Sequence, residues 1–156
     1  GNMRNMALTL GDFGVAREVT LSPTCCRTVV GTAAFTAPEA VRLAYGLGGT
    51  NVPVDVYGAG ASMFYLATMM TPQPDNCEFY YLKLMEDVTF ASCSVNISMA
   101  FQHIVCRSMA RAVRERCTAQ ELRNDLSKFI VDTEAAEAQR SADMTITEDA
   151  SILKEE

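Results

Sequence analysis

The chain opens with a short alternation of apolar and polar positions. The run "MALTL" at residues 6–10 predicts a strand that feeds a Gly-Asp-Phe-Gly turn at residues 11–14. Residues 15–37 are rich in Thr, Ser, Cys and Gly and hold no sustained period, which predicts a long loop. Loops of this length are uncommon inside a compact domain and are usually functional.

The pattern beyond this loop predicts helices. A short helix is expected to begin near Pro38, because the fixed φ of proline suits a first turn. Residues 54–70, "VDVYGAGASMFYLATMM", are apolar on nearly every side and predict a helix that is buried all round. A membrane span is the rival reading, but the stretch is shorter than the ~20 residues that a span needs. It also contains Asp55 near its start, where exposed amides favour a carboxylate.

Three more helices are predicted towards the carboxyl end. The first covers residues 78–87, and the second lies within residues 99–113, where His103 is expected to be a packed or surface residue. The third begins with a capping box, Thr118 with Glu121 three residues on. The expected apolar face of the second helix is Met99, Ile104, Val105, Met109 and Val113, and that of the third is Leu122, Leu126, Phe129 and Ile130.

Composition and charge indicate one domain with an acidic tail. With 156 residues and 49% hydrophobic content, the chain suits a single globular unit. Residues 1–130 carry 11 acidic and 11 basic residues, whereas residues 131–156 carry 8 acidic and 2 basic. The expected division is a domain over 1–131 and an acidic, disordered tail over 132–156. A neutral body with an acidic tail argues against nucleic acid and against an anionic membrane as partners.

The six cysteines do not form a metal or disulfide pattern. None belongs to a Cys-x-x-Cys pair, and His103 has no metal-ligand spacing. Because the start of the sequence shows no signal-peptide pattern, the expected location is intracellular, in the cytoplasm, with reduced thiols. The adjacent Cys25 and Cys26 have only Arg27 nearby to lower a thiol pKa, so a redox role is not expected.

The first candidate functional residue is Asp12, whose carboxylate lies between Gly11 and Gly14 in a single turn. An Asp at the end of a strand can face a metal ion or a phosphate-bound cation. An ordinary turn is the more common explanation for this tripeptide taken alone. The order of later motifs favours a functional role for Asp12 over an ordinary turn. These motifs are "VGTAAFTAPEA" at residues 30–40, the apolar helix from 54, and "RERCTAQEL" from 114.

In this order and spacing, residues 2–130 resemble the C-terminal lobe of a eukaryotic Ser/Thr protein kinase, from Asp-Phe-Gly onward. The wording "GDFGVAR … VGT" is most similar to the never-in-mitosis-A-related group. The resemblance implies a mainly α fold, a helical kinase C-lobe with a short N-terminal strand or hairpin. It also implies Mg²⁺ and ATP as cofactors of the complete kinase, with neither expected to bind tightly to this chain alone.

The resemblance assigns roles to individual residues. Asp12 matches the Mg²⁺ ligand, Asn2 matches the second metal ligand, and Phe13 is expected to pack inward. Residues 15–37 correspond to the activation segment, where Thr28 is the expected regulatory phosphosite. Rival phosphosites are Thr20, Ser22 and Thr24.

Further roles fall on residues after the activation segment. Thr32 matches the residue that contacts the catalytic aspartate and favours Ser/Thr substrates; its simpler role is to form a turn. Glu39 is expected to pair with Arg116, and Asp55 matches the residue that anchors the catalytic loop. The sequence departs from the family at Ala33, Tyr57 and Cys117, where Pro, Trp and Pro are usual.

The sequence contains no Gly-rich loop, no Val-Ala-Ile-Lys lysine and no His-Arg-Asp aspartate. Phosphoryl transfer depends on those parts, so the chain alone is expected to be inactive and marginally stable. Two functions remain open: part of a Ser/Thr kinase, or a pseudokinase acting as a binding or scaffold module. A third possibility is an unrelated helical domain. The expected partner is a protein substrate or a regulatory protein.

Overall fold

The computed structural model describes residues 9–11, 13–16, 32–40, 52–72, 90 and 95–152. Within these ranges the secondary structure is helical, and they contain no strand. Among the described residues, the longer α-helices are α1 (Pro53–Thr68), α2 (Met99–Ser108) and α3 (Ala119–Ile152), and residues 38–40 are also helical. Short 3₁₀ turns cover Phe13–Val15, Ala33–Phe35 and Val113–Glu115. The predicted mainly α fold is therefore confirmed.

Two predicted elements lie wholly or largely outside the described residues. The helix at 78–87 is one, and most of the strand at 6–10 is the other. The last two residues of that strand, Thr9 and Leu10, are described and do not belong to a strand. The start of the helix predicted near Pro38 is confirmed, because residues 38–40 are helical.

The core forms where α1 packs against α2. Its main cluster combines residues from both helices with one from the segment before them: Ala37, Tyr57, Ala61, Phe64, Val105 and Met109. Phe90 adds an aromatic contact, its ring centroid 5.0 Å from that of Phe64. The helices approach closely at Gly60, where an added Cβ would lie 2.2 Å from the Ser108 Oγ. A side chain at that position would therefore force the helices apart.

Helix α1 is only partly buried, which corrects the expectation of burial all round. Val56 and Ala61 face the core, whereas Leu66 is 68% exposed and Asp55 is also exposed. The helix ends at Met69, whose left-handed φ of 55° allows its N–H to donate to the Tyr65 carbonyl. Overall hydrophobicity predicted the helix correctly, but it does not say which side a neighbour covers.

Helix α2 is shorter than its apolar pattern indicated. Its cap is Ser98, whose hydroxyl accepts from the Phe101 N–H, and the helix ends at Ser108. Ile104, Val105 and Met109 are buried as expected, whereas Met99 is 77% exposed and Val113 lies in a separate 3₁₀ turn. Residues at the two ends of the predicted face therefore do not contribute to the core.

The capping box predicted at the start of α3 is confirmed. The carboxylate of Glu121 accepts from the N–H of Thr118 at 2.7 Å and from its hydroxyl at 2.9 Å. In return the Glu121 N–H donates to the Thr118 hydroxyl at 3.2 Å. Leu122 is buried, and Phe129 packs on Phe101 with ring centroids 5.5 Å apart.

The far end of α3 lies in residues 132–156, and the division of the chain into a domain and an acidic, disordered tail stays a prediction. The helix continues without a break to Ile152, and every side chain described from Ile130 to Met144 is exposed. Ile130 therefore leaves the predicted apolar stripe. Residues of high helix propensity such as Ala, Glu and Gln continue the helix here. Local bonds support it, including the Gln139 amide to the Asp143 carboxylate at 2.9 Å.

The capping box makes the stability of the chain depend on pH. Hydrogen bonds from the Thr118 N–H and hydroxyl lower the pKa of the Glu121 carboxyl. Because the folded pKa is depressed, the contribution is complete above the unfolded value of about 4.3 and is lost as pH falls through the folded value. We expect Glu121→Gln to lose less stability than the wild type between pH 5 and pH 3, measured by urea unfolding.

The matched control is Glu134→Gln, which removes an exposed carboxyl farther along the same helix. Its acid-induced loss should equal that of the wild type. Equal losses in the wild type and in Glu121→Gln would show that the capping carboxylate does not set the acid sensitivity.

Candidate functional site

Among the described residues, the buried charged side chain is that of Arg116, which follows the 3₁₀ turn Val113–Glu115. Its side chain is 0% exposed. It donates to Glu39 through both terminal nitrogens, at 2.6 Å to Oε1 and 3.1 Å to Oε2. Two further bonds reach backbone carbonyls, Pro53 at 2.8 Å and Ala110 at 3.1 Å. The sequence-predicted pair Glu39 and Arg116 is thus brought together in a bidentate contact.

The Tyr57 ring covers this guanidinium, with the Arg116 Cζ 5.1 Å from the ring centroid. A buried charge is tolerated only when its hydrogen bonds are satisfied, and here a carboxylate, two carbonyls and an aromatic face meet that need. The contacts join three segments distant in sequence: the helical start at 38–40, the first turn of α1 and the chain after α2. The arrangement can fix a segment in place; it carries no nucleophile.

Just before this pair, residues 32–40 run from an exposed end to a buried one. Thr32 is exposed, and its carbonyl accepts from the Phe35 N–H at 3.0 Å. Ala34 and Ala37 are buried against the core. Phe35 meets Tyr65 of α1 edge-on, with centroids 6.0 Å apart. Thr32 is therefore exposed to solvent at the end of a segment whose following residues, Ala34 and Ala37, are packed against the core.

Asp55 lies in the first turn of α1, two residues from the carbonyl that Arg116 contacts. Its N–H donates to the Val52 carbonyl at 3.1 Å, and its carboxylate is exposed. The part of the chain that the structure describes offers this carboxylate no hydrogen-bond partner. Its first-turn position is as predicted from the sequence, and its anchoring role stays a prediction.

The protein family of this chain is shown by a match to a family model. Residues 2–126 match the family model described as the protein kinase domain. The chain belongs to the protein kinase domain family. No curated protein matches the chain in a sequence comparison. The resemblance drawn from the motifs is therefore confirmed at the level of the kinase domain.

Several expected kinase residues lie outside the described part of the chain: Asn2, Asp12, Thr28 and the Cys25–Cys26 pair. Phe13, beside Asp12, is described and contradicts the expectation that it packs inward, because it is 64% exposed in a 3₁₀ turn. That turn is closed only by the Ala16 N–H donating to the Phe13 carbonyl. A local turn of this kind does not supply an apolar pocket for the ring.

The residues of a kinase metal site fit Mg²⁺ by their donor chemistry. Asp12 and Asn2 carry oxygen atoms, the ligands that this hard cation prefers. Within the described ranges, which include neither Asp12 nor Asn2, no group of three or more His, Cys, Asp or Glu side chains is placed to hold a metal ion. His103 is exposed, in accord with a surface residue.

Sequence reasoning missed some contacts of the kinase site. Tyr57 was noted as a departure from the family, whereas its ring is a direct partner of Arg116. The carbonyls of Pro53 and Ala110 leave no signal in sequence, because backbone acceptors exist at every residue. The spacing of four residues between Thr32 and Thr36 was the available sequence signal for the hydrogen bond from the Thr36 hydroxyl to the Thr32 carbonyl.

Cys117, at a position where the family has proline, is buried behind Arg116. Burial raises the pKa of its thiol, outweighing the lowering effect of Arg107. A thiol in this state is neutral at physiological pH and is a poor nucleophile.

Across the described helices, none is both long and apolar enough to cross a membrane.

Proposed function

We propose that this kinase-family chain is the C-terminal lobe portion of a serine/threonine protein kinase. With the missing lysine and catalytic aspartate supplied, the kinase transfers the ATP γ-phosphate to a protein Ser or Thr hydroxyl. The observation that carries the proposal is the bidentate contact between Arg116 and Glu39, because it joins two motifs 77 residues apart. By itself the chain transfers no phosphate, since it contains neither group.

The roles of individual residues follow from that assignment. Asp12 and Asn2 hold Mg²⁺ against the ATP phosphates, and the ion supplies neutralisation of the charge that develops there. Thr32 orients the acceptor hydroxyl from its exposed position at the head of the Ala33–Phe35 turn. Asp55 holds the backbone of the catalytic loop. Glu39 and Arg116 keep the substrate-binding segment on α1.

Regulation is assigned to the activation segment. A phosphate on Thr28 adds nearly two negative charges, which order the loop against arginines. The protein partners are the substrate and a regulatory kinase or phosphatase acting on Thr28. Within the family, the Gly-Asp-Phe-Gly-Val-Ala-Arg wording favours the never-in-mitosis-A-related group.

A binding or scaffold module is the second candidate, and the exposure of Phe13 favours it. In a kinase poised for catalysis, the residue after the metal-binding aspartate is expected to be packed. An exposed ring beside Asp12 suits a surface that meets a partner protein. Asp12 then has no metal to hold.

A phosphotransfer assay with two polypeptides separates these functions. One is this chain; the other extends it with its own upstream sequence as read from the transcript. We expect no transfer to a Ser/Thr peptide from the first with Mg²⁺ and ATP. We expect transfer from the second, reduced to background by Asp12→Asn and unchanged by Asp132→Asn, a carboxylate on the exposed part of α3. An extended protein without transfer supports the scaffold function.

A further inference from the structure

Thr36, which directly precedes the Ala-Pro-Glu motif, makes a side-chain hydrogen bond to the backbone of Thr32. Its hydroxyl donates to the carbonyl of Thr32 at 3.0 Å. The same carbonyl accepts the Phe35 N–H, also at 3.0 Å. One oxygen atom thus receives two donors, from residues three and four positions along the chain.

Because two donors bind the carbonyl of Thr32, they restrict rotation about the ψ angle of that residue. Rotation about ψ of Thr32 swings its carbonyl oxygen, so any substantial rotation lengthens both bonds. Thr36 itself is half-buried, and its β-branched side chain has few rotamers to lose when the hydroxyl is directed at the carbonyl. The backbone of Thr32 is therefore held from inside its own turn.

The other end of this turn is attached to the rigid part of the molecule. Ala37, next to Thr36, is 0% exposed, and Glu39 is bound to Arg116. The Phe35 ring lies edge-on to Tyr65 of α1. A displacement of the Thr32 carbonyl relative to Thr36 is thus a displacement of Thr32 relative to the core.

We infer that Thr36 is a positioning residue, which acts through Thr32 to fix where the acceptor hydroxyl of a substrate is oriented. The inference rests on the proposed function for the role of Thr32. In this role the Thr36 hydroxyl, which is bonded to the Thr32 carbonyl, does not itself touch substrate. Its effect is on the orientation of the Thr32 backbone.

The structural half of this inference is tested by amide hydrogen exchange on the present chain. Thr36→Val keeps the β-branched shape but removes the donor, whereas Thr36→Ser keeps the donor. We expect exchange at the Phe35 amide to be roughly fivefold faster in Thr36→Val and close to wild type in Thr36→Ser. The control Ser62→Ala removes an equivalent hydroxyl-to-carbonyl bond, from Ser62 to Gly58, and should leave the Phe35 amide unchanged.

The functional half is tested in the extended, active polypeptide. Thr36→Val should lower kcat roughly fivefold with the KM for ATP unchanged, and Thr36→Ser should restore it. The melting temperatures of the two variants should match, which separates positioning from loss of structure. Faster exchange with an unchanged kcat overturns the positioning role, and equal exchange in all variants overturns the contact itself. A wild type without transfer defeats the proposed function, while the exchange result still decides whether Thr36 holds Thr32.

Discussion

Replacing Arg116 with methionine should lower the free energy of unfolding by about 3–5 kcal/mol, because a buried carboxylate loses its counter-charge. Methionine fills much of the space of the arginine stem but offers no donor. Glu39 is then left without its guanidinium partner at a site only 16% exposed, and the Pro53 and Ala110 carbonyls lose their donor. Urea unfolding monitored by circular dichroism measures the loss.

The matched control is Arg114→Met, two residues earlier. Its side chain is 87% exposed and lies 3.6 Å from Glu115, so the expected change is within about 0.5 kcal/mol. Arg116→Lys keeps the charge and should fall between the two, which preserves the comparison if Arg116→Met does not fold. Similar losses for Arg114→Met and Arg116→Met would contradict a special role for the buried pair.

A charge reversal tests whether Glu39 and Arg116 act as a unit. Each single reversal, Glu39→Arg or Arg116→Glu, places like charges together and should be strongly destabilising. The double reversal should recover part of that loss, giving a coupling energy of about 0.5–3 kcal/mol. Strictly additive effects would mean that the two side chains are uncoupled, as an unrelated helical domain requires.

Gly60→Ala is expected to destabilise the chain by up to about 2 kcal/mol. The new methyl group would lie 2.2 Å from the Ser108 Oγ and 2.7 Å from the Met109 Cγ. Both neighbours are buried, so α1 and α2 must separate, and overpacking of this kind costs about 1–3 kcal/mol. The gain in helix propensity, about 1 kcal/mol, offsets only part of this. Thermal and urea unfolding measure the net change.

Gly58 provides the control, because it lies in the same helix and an added Cβ there would meet no close neighbour. Its nearest neighbour for an added Cβ is the Phe35 carbonyl at 3.9 Å, which is ordinary contact. Gly58→Ala should therefore stabilise the chain by up to about 1 kcal/mol through helix propensity alone. The two alanine variants should move stability in opposite directions. A stabilising Gly60→Ala would show that the helices yield at this crossing without cost.

Local rules predicted the parts of the chain whose causes are local. The capping box of Thr118 and Glu121 involves residues three apart, so its hydrogen bonds are visible in sequence. Helix α1 was predicted within two residues at each end because its apolar run is long. The kinase domain was indicated by the order of Asp-Phe-Gly, Ala-Pro-Glu and the later arginine, and the family match agrees.

Errors arose where a distant neighbour decides the outcome. Leu66 and Met99 are as apolar as their buried counterparts, but no element of the described residues packs over them and they are exposed. The disordered tail expected at residues 132–156 stays a prediction, and in the structure local helix propensity and side-chain bonds carry α3 through to Ile152. Composition reports what a segment can bury, and a helix can also form without burial where its own residues favour it.

The sequence alone determined that this protein is mainly helical and indicated that it contains a protein kinase domain. Those properties depend on residue type and on spacing along the chain. Only the tertiary structure decided that Arg116 also binds the Pro53 and Ala110 carbonyls beneath Tyr57, and that Gly60 marks the closest approach of two helices. Backbone acceptors and packing distances depend on the path of the folded chain, which residue identity does not record.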